Sequence, residues 1–277
     1  MFTLNCKGRL LTVDKPLVMA IINCTPDSFF EESRSGNSDQ LLEKAGQMIA
    51  DGAAILDIGG QSTRPGSSRV SESEELERVI QSITAIHQHF PNIIISIDTY
   101  YSLVAKEAVR AGASIVNDIS AGSIDKNMFA TVAQLGVPYI LMHKQGDLAN
   151  MQQRPQYKNV TLEVLDFFIN EIAKIKKAGI KDIIIDPGFG FGKTMQHNFQ
   201  LLREMDRLKI LQLPIMLGIS RKSMVYKPLN VTAKDALNGT TVLHTIGLMN
   251  GASILRAHDV KEACEAINLF NLLETRN

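Results

Sequence analysis

The chain has 277 residues, 45% of them hydrophobic, and its 29 Lys plus Arg equal its 29 Asp plus Glu. That length suits one large α/β domain of roughly 250 residues, with apolar content enough for a large core and no low-complexity tract to suggest disorder. The charge balance leaves no global field to draw nucleic acid or an anionic membrane, so any anion must be held by local charge.

Residues 2–13 alternate around Lys7-Gly8 and predict a β-hairpin that plugs or flanks the main body of the domain. Met1 leads straight into it, without the basic start and apolar run of a signal peptide. Short apolar runs then predict strands at 17–22, 54–58, 93–97, 114–116, 138–142, 182–185, 214–217 and 253–255. Continuous apolarity, not alternation, is what a parallel strand covered by helices requires. Between the runs lie amphipathic helices. Leu76, Val79, Ile80, Ile83 and Ile86 form one stripe behind a Ser71-x-x-Glu74 capping box, and Val260, Ala263, Cys264, Ile267 and Phe270 form the last. Gly52, Gly112, Gly136 and Gly179 fall where helices should stop. The uncharged stretch 236–255 carries Asn238, Thr240, Thr241, His244 and Asn250 and divides at Gly251, which predicts a buried helix and a strand start rather than a membrane span.

Polar residues end every strand: Asn23, Gly59-Gly60, Asp98, Asn117-Asp118, His143, Asp186, Gly218-Ile219-Ser220 and Arg256-Ala257-His258-Asp259. A doubly wound open sheet would concentrate its ligand contacts at one switch point. Distribution over all the ends predicts instead a (β/α)8 TIM barrel of the α/β class, with the N-terminal hairpin at 1–14 and no linker dividing 1–277. In such a barrel the ends converge on one face.

Several loops carry chemistry. Gly59-Gly60-Gln61-Ser62-Thr63-Arg64-Pro65-Gly66 combines close-approach glycines, hydroxyls and a guanidinium, suited to an anion, although Pro-Gly also marks ordinary turns. Asp186-Pro187-Gly188-Phe189-Gly190-Phe191-Gly192-Lys193 imitates a P-loop, but Pro187 stands where that pattern needs glycine, and the spacing matches no dinucleotide fingerprint. What remains is a carboxylate at a strand end and a loop with an exposed aromatic, Phe191. Arg221-Lys222 follow a buried strand, and Lys222 can donate to a ligand while its stem packs on apolar surface. Alternation turns Arg256 and His258 to one side. His87 and His89 cannot share a helix face as a metal pair, and His197 and His244 read as surface or core. His143 reads either as a structural hydrogen bond or as a pocket residue. The three cysteines show no metal or redox spacing, which points to a reducing cytoplasm, and Cys24 reads as a small buried side chain. Asp98, Asp186 and Asp118 with Asn117 suit a ligand with several N–H donors, such as an aminopyrimidine, and Arg64, Lys222 and Arg256 suit an acidic group.

Taken in order, MAIINCTPDSF (19–29), GGQSTRPG (59–66), SIDT (96–99), VNDIS (116–120), MHKQG (142–146), DPGFGFGK (186–193), SRKS (220–223) and RAHDV (256–260) closely resemble the dihydropteroate synthase family of folate biosynthesis. The resemblance spans nearly the whole chain. It implies a cytoplasmic transferase, a sulfonamide target, that condenses 6-hydroxymethyl-7,8-dihydropterin diphosphate with 4-aminobenzoate. It places the pterin against Asp98, Asn117, Asp186 and Lys222, with Arg256 over a ring face. The diphosphate, with Mg²⁺ as cofactor, falls near Asn23 as metal ligand, Thr63, Arg64, Arg256 and His258. The 4-aminobenzoate falls near Thr63, Arg64, Pro65, Phe191, Lys222 and Ser223. Asp98, Lys222 and Arg256 are the implied catalytic residues. The chain departs from the family pattern at Gln61, usually Glu, and at Phe29-Phe30-Glu31-Glu32-Ser33-Arg34, where Ser-Asp-Gly-Gly is common. Two rivals stand beside this reading: a catalytically silent pterin-binding paralogue and a methyltetrahydrofolate methyltransferase-like barrel. The apolar surface of the last two helices (Val242, Ile246, Leu248, Met249, Leu269, Phe270, Leu272 and Leu273) exceeds what a lone barrel needs and suggests a homodimer, as the resemblance also implies.

Overall fold

The computed structural model describes residues 1–24, 34–61, 69–146, 151 and 155–274, without the side chains of 34–38. Strands β1 (Phe2–Cys6) and β2 (Arg9–Val13) pair antiparallel through Lys7 and Gly8, whose φ angles of 58° and 89° are those of a tight hairpin turn. Eight more strands build the main sheet: β3 (Leu17–Asn23), β4 (Ile55–Gly59), β5 (Ile94–Asp98), β6 (Ile115–Asp118), β7 (Tyr139–Met142), β8 (Ile183–Asp186), β9 (Met216–Leu217) and β10 (Ile254–Ala257). Their pairings are all parallel, in the order β8-β7-β6-β5-β4-β3-β10-β9. A parallel bridge between Ile185 and Ile215 joins the two edges, where the Ile185 N–H donates to the Pro214 carbonyl at 3.0 Å. The barrel thus closes, and β9 is its shortest stave. The sequence predicts a strand from 214, but Pro214 has no N–H to give a ladder, which leaves only the bridge at Ile215.

The helices are α1 (Arg34–Ala50), α2 (Glu72–His89), α3 (Ser102–Ala111), α4 (Met128–Leu135), α5 (Val160–Ala178), α6 (Met195–Arg203), α7 (Ser223–Tyr226), α8 (Leu237–Met249) and α9 (Val260–Glu274), with a 3₁₀ turn at Met205–Leu211. Val79, Ile83 and Ile86 of α2 are fully buried, and Leu76 and Ile80 pack at the margin of the same core. Only half of the predicted capping box forms. The Glu74 N–H donates to Ser71 Oγ at 3.3 Å, but the Glu74 carboxylate pairs with Arg78. A complete box occurs instead at the start of α6, between Thr194 and the ring of His197. Gly136 and Gly179 cap α4 and α5 in the left-handed conformation that glycine adopts without strain. Among the described residues no helix is long and apolar enough to cross a membrane.

Strand alternation sorts side chains into an outer face under the helices and an inner face. Near the N-terminal ends the inner face is Met19, Ile55, Ile94, Ile115, Ile140, Ile184, Met216 and Ile254, clustered with Leu4, Cys6 and Val13 of the hairpin. The hairpin therefore plugs the bottom of the barrel, where Asp182 accepts from the Asn5 N–H at 2.9 Å and Lys7 donates to the Val109 carbonyl at 2.7 Å. Two residues further along, alternation turns Ile21, Asp57, Ser96, Asn117, Met142, Asp186, Gly218 and Arg256 inward. That upper layer is the floor of a pocket.

Candidate active site

Asp57 is the hub of the floor. It is fully buried, and its Oδ2 accepts from Arg256 Nε at 2.6 Å and from Asn117 Nδ2 at 3.0 Å. The same guanidinium reaches Asp98 Oδ2 through its terminal nitrogen, also at 2.6 Å. A planar fork between two carboxylates fixes the plane of the arginine as well as its charge. The sequence reading missed Asp57. Its signal was a carboxylate in the middle of the otherwise apolar ILDIG, where burial on both faces forces a charge to find a partner inside.

Asp186 and Lys222 stand across the floor. Gly188 N–H donates to Asp186 Oδ1 at 2.8 Å. A Cβ built on Gly218 would lie 3.6 Å from Asp186 Oδ2 and 3.8 Å from Lys222 Nζ, in ordinary contact with both, so this position sits between acid and base. Lys222 Nζ also donates to the Phe189 carbonyl at 2.7 Å and lies 4.6 Å from the centre of the Phe191 ring. Phe191 is buried, which corrects the expectation of an exposed aromatic. The glycine-rich run 188–192 folds back over the barrel mouth, and the ring joins Tyr100, Ile119, Met142 and Met151 in a small apolar cluster. That fold-back requires Gly188: with φ at 67°, a Cβ there would stand 1.9 Å from the His143 carbonyl.

Other predicted residues divide between pocket and framework. His143 is structural: its Nδ1 lies 2.9 Å from buried Lys193 Nζ, and its ring packs edge-on against Phe167. Lys193 also donates to the carbonyls of Gly188 (2.9 Å) and Phe191 (3.2 Å). Asp118 is corrected out of the pocket, because alternation turns it outward, where Tyr139 Oη donates to it at 2.7 Å and the N–H groups of Ser120 and Gly122 cap it. Arg221, at a left-handed φ of 55°, turns away to a bidentate pair with Asp259 at 2.8 and 2.7 Å. Of the two adjacent cations only Lys222 enters. Asn23 and His258 are exposed at the rim, with His258 Nδ1 3.0 Å from Ser220 Oγ, and half-buried Ser223 opens α7. Cys24 is buried against Ser82, as its bland reading expects. Thr63, Arg64 and Pro65 lie outside the described residues, as does the atypical run 29–33.

Three inner carboxylates, Asp57, Asp98 and Asp186, thus face two cations, Arg256 and Lys222. Burial pushes Asp98 up to about 7 against the pull of Arg256, with Asp57 adding to the rise. Burial also raises Asp186, opposed by Lys222, and brings Lys222 down to about 8, opposed by Asp186. Asp57 Oδ1, Ser96 Oγ and Asn117 Oδ1, on neighbouring strands, are buried with no hydrogen-bond partner. Buried acceptors left open in this way call for donors from a bound molecule or water. Among the described residues no three His, Cys, Asp or Glu side chains come together as a metal cluster.

Comparison with known proteins adds three likenesses. The profile of the family described as Pterin binding enzyme matches residues 19–258. The dihydropteroate synthase of Escherichia coli (strain K12) is 42% identical over 265 residues, covering 95% of this chain and 93% of the relative. Among solved structures, Yersinia pestis dihydropteroate synthase in a sulfonamide drug complex superposes with a TM-score of 0.93 at 40% identity, covering 99% of this chain and 100% of the other. That of Xanthomonas albilineans with 4-aminobenzoic acid gives 0.91 at 36%, covering 99% of each.

Proposed function

Since the chain belongs to the dihydropteroate synthases, a family of pterin-binding enzymes, we propose a division of the reaction among its own residues. The reaction joins 6-hydroxymethyl-7,8-dihydropterin diphosphate to 4-aminobenzoate and releases diphosphate and 7,8-dihydropteroate. One observation carries the pterin assignment: the unpartnered acceptors Asp57 Oδ1, Ser96 Oγ and Asn117 Oδ1 on a floor that also holds Asp186. An aminopyrimidine offers adjacent N–H donors that a carboxylate can accept side by side. Asp186 takes that edge, Asn117 and Lys222 take the rest of the polar rim, and Arg256, held flat by Asp57 and Asp98, covers a ring face.

No protein nucleophile is needed. As the methylene C–O bond breaks, Arg256 and Arg64 balance charge growing on the departing diphosphate, with His258, kept neutral by burial and by Arg256, beside it as an N–H donor. The electron-rich pterin shares the positive charge left on the methylene, and Asp98 is its electrostatic partner. The neutral amine of 4-aminobenzoate then forms the new C–N bond and gives up a proton to the departing diphosphate or to solvent. By family resemblance 4-aminobenzoate is assigned to Thr63, Arg64, Pro65, Phe191, Lys222 and Ser223, and orientation with exclusion of water supplies much of the rate. Mg²⁺ fits as cofactor through Asn23: it takes one or two protein oxygens beside substrate phosphates and water, and Asn23 is an exposed amide at the rim. When bound it adds positive charge beside the diphosphate.

The whole of 1–277 is read as one pterin-binding domain working in the cytoplasm, its cysteines unpaired. Val242, Ile246 and Met249 of α8 and Leu269, Leu272 and Leu273 of α9 are exposed, and that apolar face supports a homodimer. Sedimentation equilibrium giving the mass of one chain would remove the dimer.

The decisive experiment follows diphosphate release from the pterin diphosphate with Mg²⁺, with and without 4-aminobenzoate. Release that depends on 4-aminobenzoate, with dihydropteroate formed, is expected. Pterin binding without release would mark a catalytically silent relative.

A further inference from the structure

One buried cation has no part in the reaction as drawn above. Lys193 is 3% exposed and stands two residues before α6. Its Nζ lies 2.9 Å from the Gly188 carbonyl, 3.2 Å from the Phe191 carbonyl and 2.9 Å from His143 Nδ1, with the His143 carbonyl further off at 3.4 Å. The turn it grips is also closed by the Phe191 N–H, which donates to the Gly188 carbonyl at 3.1 Å, and by Asn198 Oδ1, which accepts from the Gly190 N–H at 2.7 Å. Lys222 lies along the same turn. Its Nζ donates to the Phe189 carbonyl at 2.7 Å, and that carbonyl falls between the two that Lys193 holds. A Cβ on Gly190 would stand 3.4 Å from Lys222 Cδ, and the Phe191 ring centre is 4.6 Å from Lys222 Nζ. The turn is thus a cradle for one lysine, and a second lysine fixes both its ends.

We propose that Lys193 is a positioning residue for Lys222. By holding the Gly188 and Phe191 carbonyls it sets the Phe189 carbonyl and the Phe191 ring, against which Lys222 is presented to the pterin. The inference rests on the pterin reading above, which puts Lys222 on the polar rim of that ligand. Lys193 itself is too covered to touch a ligand. The clamp also survives a change of protonation. Burial brings Lys193 down to about 7, opposed by Asp186, and burial holds His143 neutral. With its third proton Lys193 donates to both carbonyls and to His143 Nδ1. Without it, two N–H groups remain for the two carbonyls, and the lone pair can accept from an Nδ1–H.

Calorimetry with 6-hydroxymethyl-7,8-dihydropterin diphosphate on three variants tests this. Lys193→Met keeps the stem and deletes every donor. It should raise Kd roughly ten-fold or more, the factor of one hydrogen bond to a charged group. Lys193→Gln keeps an amide donor and should fall between, at about three-fold. Tyr157→Phe is the control: it deletes a 2.9 Å bond to the neighbouring Gly192 carbonyl and leaves the carbonyls of 188 and 191 held. It should lower the melting temperature yet keep Kd within about two-fold. Unchanged Kd in both Lys193 variants overturns the proposal, and so does a rise in Tyr157→Phe equal to that in Lys193→Met. Should Lys193→Met fail to fold, Lys193→Gln carries the test. Amide exchange at Phe191 reads the turn without ligand and should run at least several-fold faster in the Lys193 variants; rates equal to the parent's overturn the clamp. The two failures are separable. A parent that binds no pterin diphosphate defeats the substrate reading, whereas a binding parent with equally tight variants defeats only the role of Lys193.

Discussion

The lower and upper halves of the barrel interior come from the same strands, one step of alternation apart. Below, Ile55, Ile94, Ile115, Ile184, Met216 and Ile254 close on the hairpin. Two residues later those strands present Asp57, Ser96, Asn117, Asp186, Gly218 and Arg256. At that level Ile21 and Met142 stay apolar and Gly218 brings no side chain. The lower layer gains free energy simply by leaving water, roughly 1.5–3 kcal/mol for each large side chain buried. The upper layer has no such gain, since buried charge pairs often stabilise no better than apolar groups of like size. Its charges are explained by binding, and the apolar layer with its hairpin plug supplies the stability that lets them stay. Stability and chemistry are thus separated along the barrel axis, and matched substitutions on one strand can show it.

Asp57→Ala should break the upper layer most severely. It strips the shared acceptor from Arg256 and Asn117, and losing one partner of a buried pair costs about 3–5 kcal/mol. Expressed through the transition state, kcat/KM should fall on the order of 10²- to 10³-fold or more. A folded variant within ten-fold of the parent would show that Asp98 alone orients the arginine. Asp186→Ala should come next, weakening pterin binding in calorimetry by roughly 30-fold or more, as expected for removal of a buried charged acceptor. Unchanged affinity in a folded variant would sink the Asp186 assignment. Ile184→Ala, two residues earlier on β8, sharpens the contrast. It should cost about 2–5 kcal/mol in denaturant unfolding while both KM values stay near the parent's. A pterin KM that rises with the loss of stability would mean that the layers are not separable.

The sequence carried this architecture where period and burial agree. Continuous apolar runs ending in a polar residue located the barrel strands, and the alternation around Lys7-Gly8 located the hairpin. What failed was direction. Asp118 follows Asn117 by one residue, so alternation sends it to Tyr139 and the helix side, a distinction that strand-end polarity alone cannot make. Arg221 and Lys222 are separated by a left-handed backbone that the sequence does not announce. Phe191 stands in a glycine-rich loop that reads as exposed until tertiary contacts fold it onto Tyr100 and Met142. Asp57 lay hidden because it sits inside a strand rather than at its end. Its importance arises from Arg256, 199 residues away, and no local pattern reports so distant a pairing.

Glu75 extends the comparison to the layer between barrel and helices. It is fully buried on α2 behind Gly60, and neither carboxyl oxygen is in hydrogen-bonding geometry. Burial pushes its acid from an ordinary 4.5 up to about 8, opposed by the nearby Thr99 hydroxyl. Below the ordinary value folded and unfolded chains both hold the proton. As pH rises from about 4.5 to about 8 the unfolded chain releases it while the folded chain keeps it, so stability drains away across that window and levels off above it. Glu75→Gln removes the titration. Its melting temperature should match the parent's near pH 4.5 and exceed it increasingly toward pH 8, by about 2–4 °C for each kcal/mol relieved. Parallel melting curves against pH would mean that water or a neighbouring donor satisfies the ionised acid.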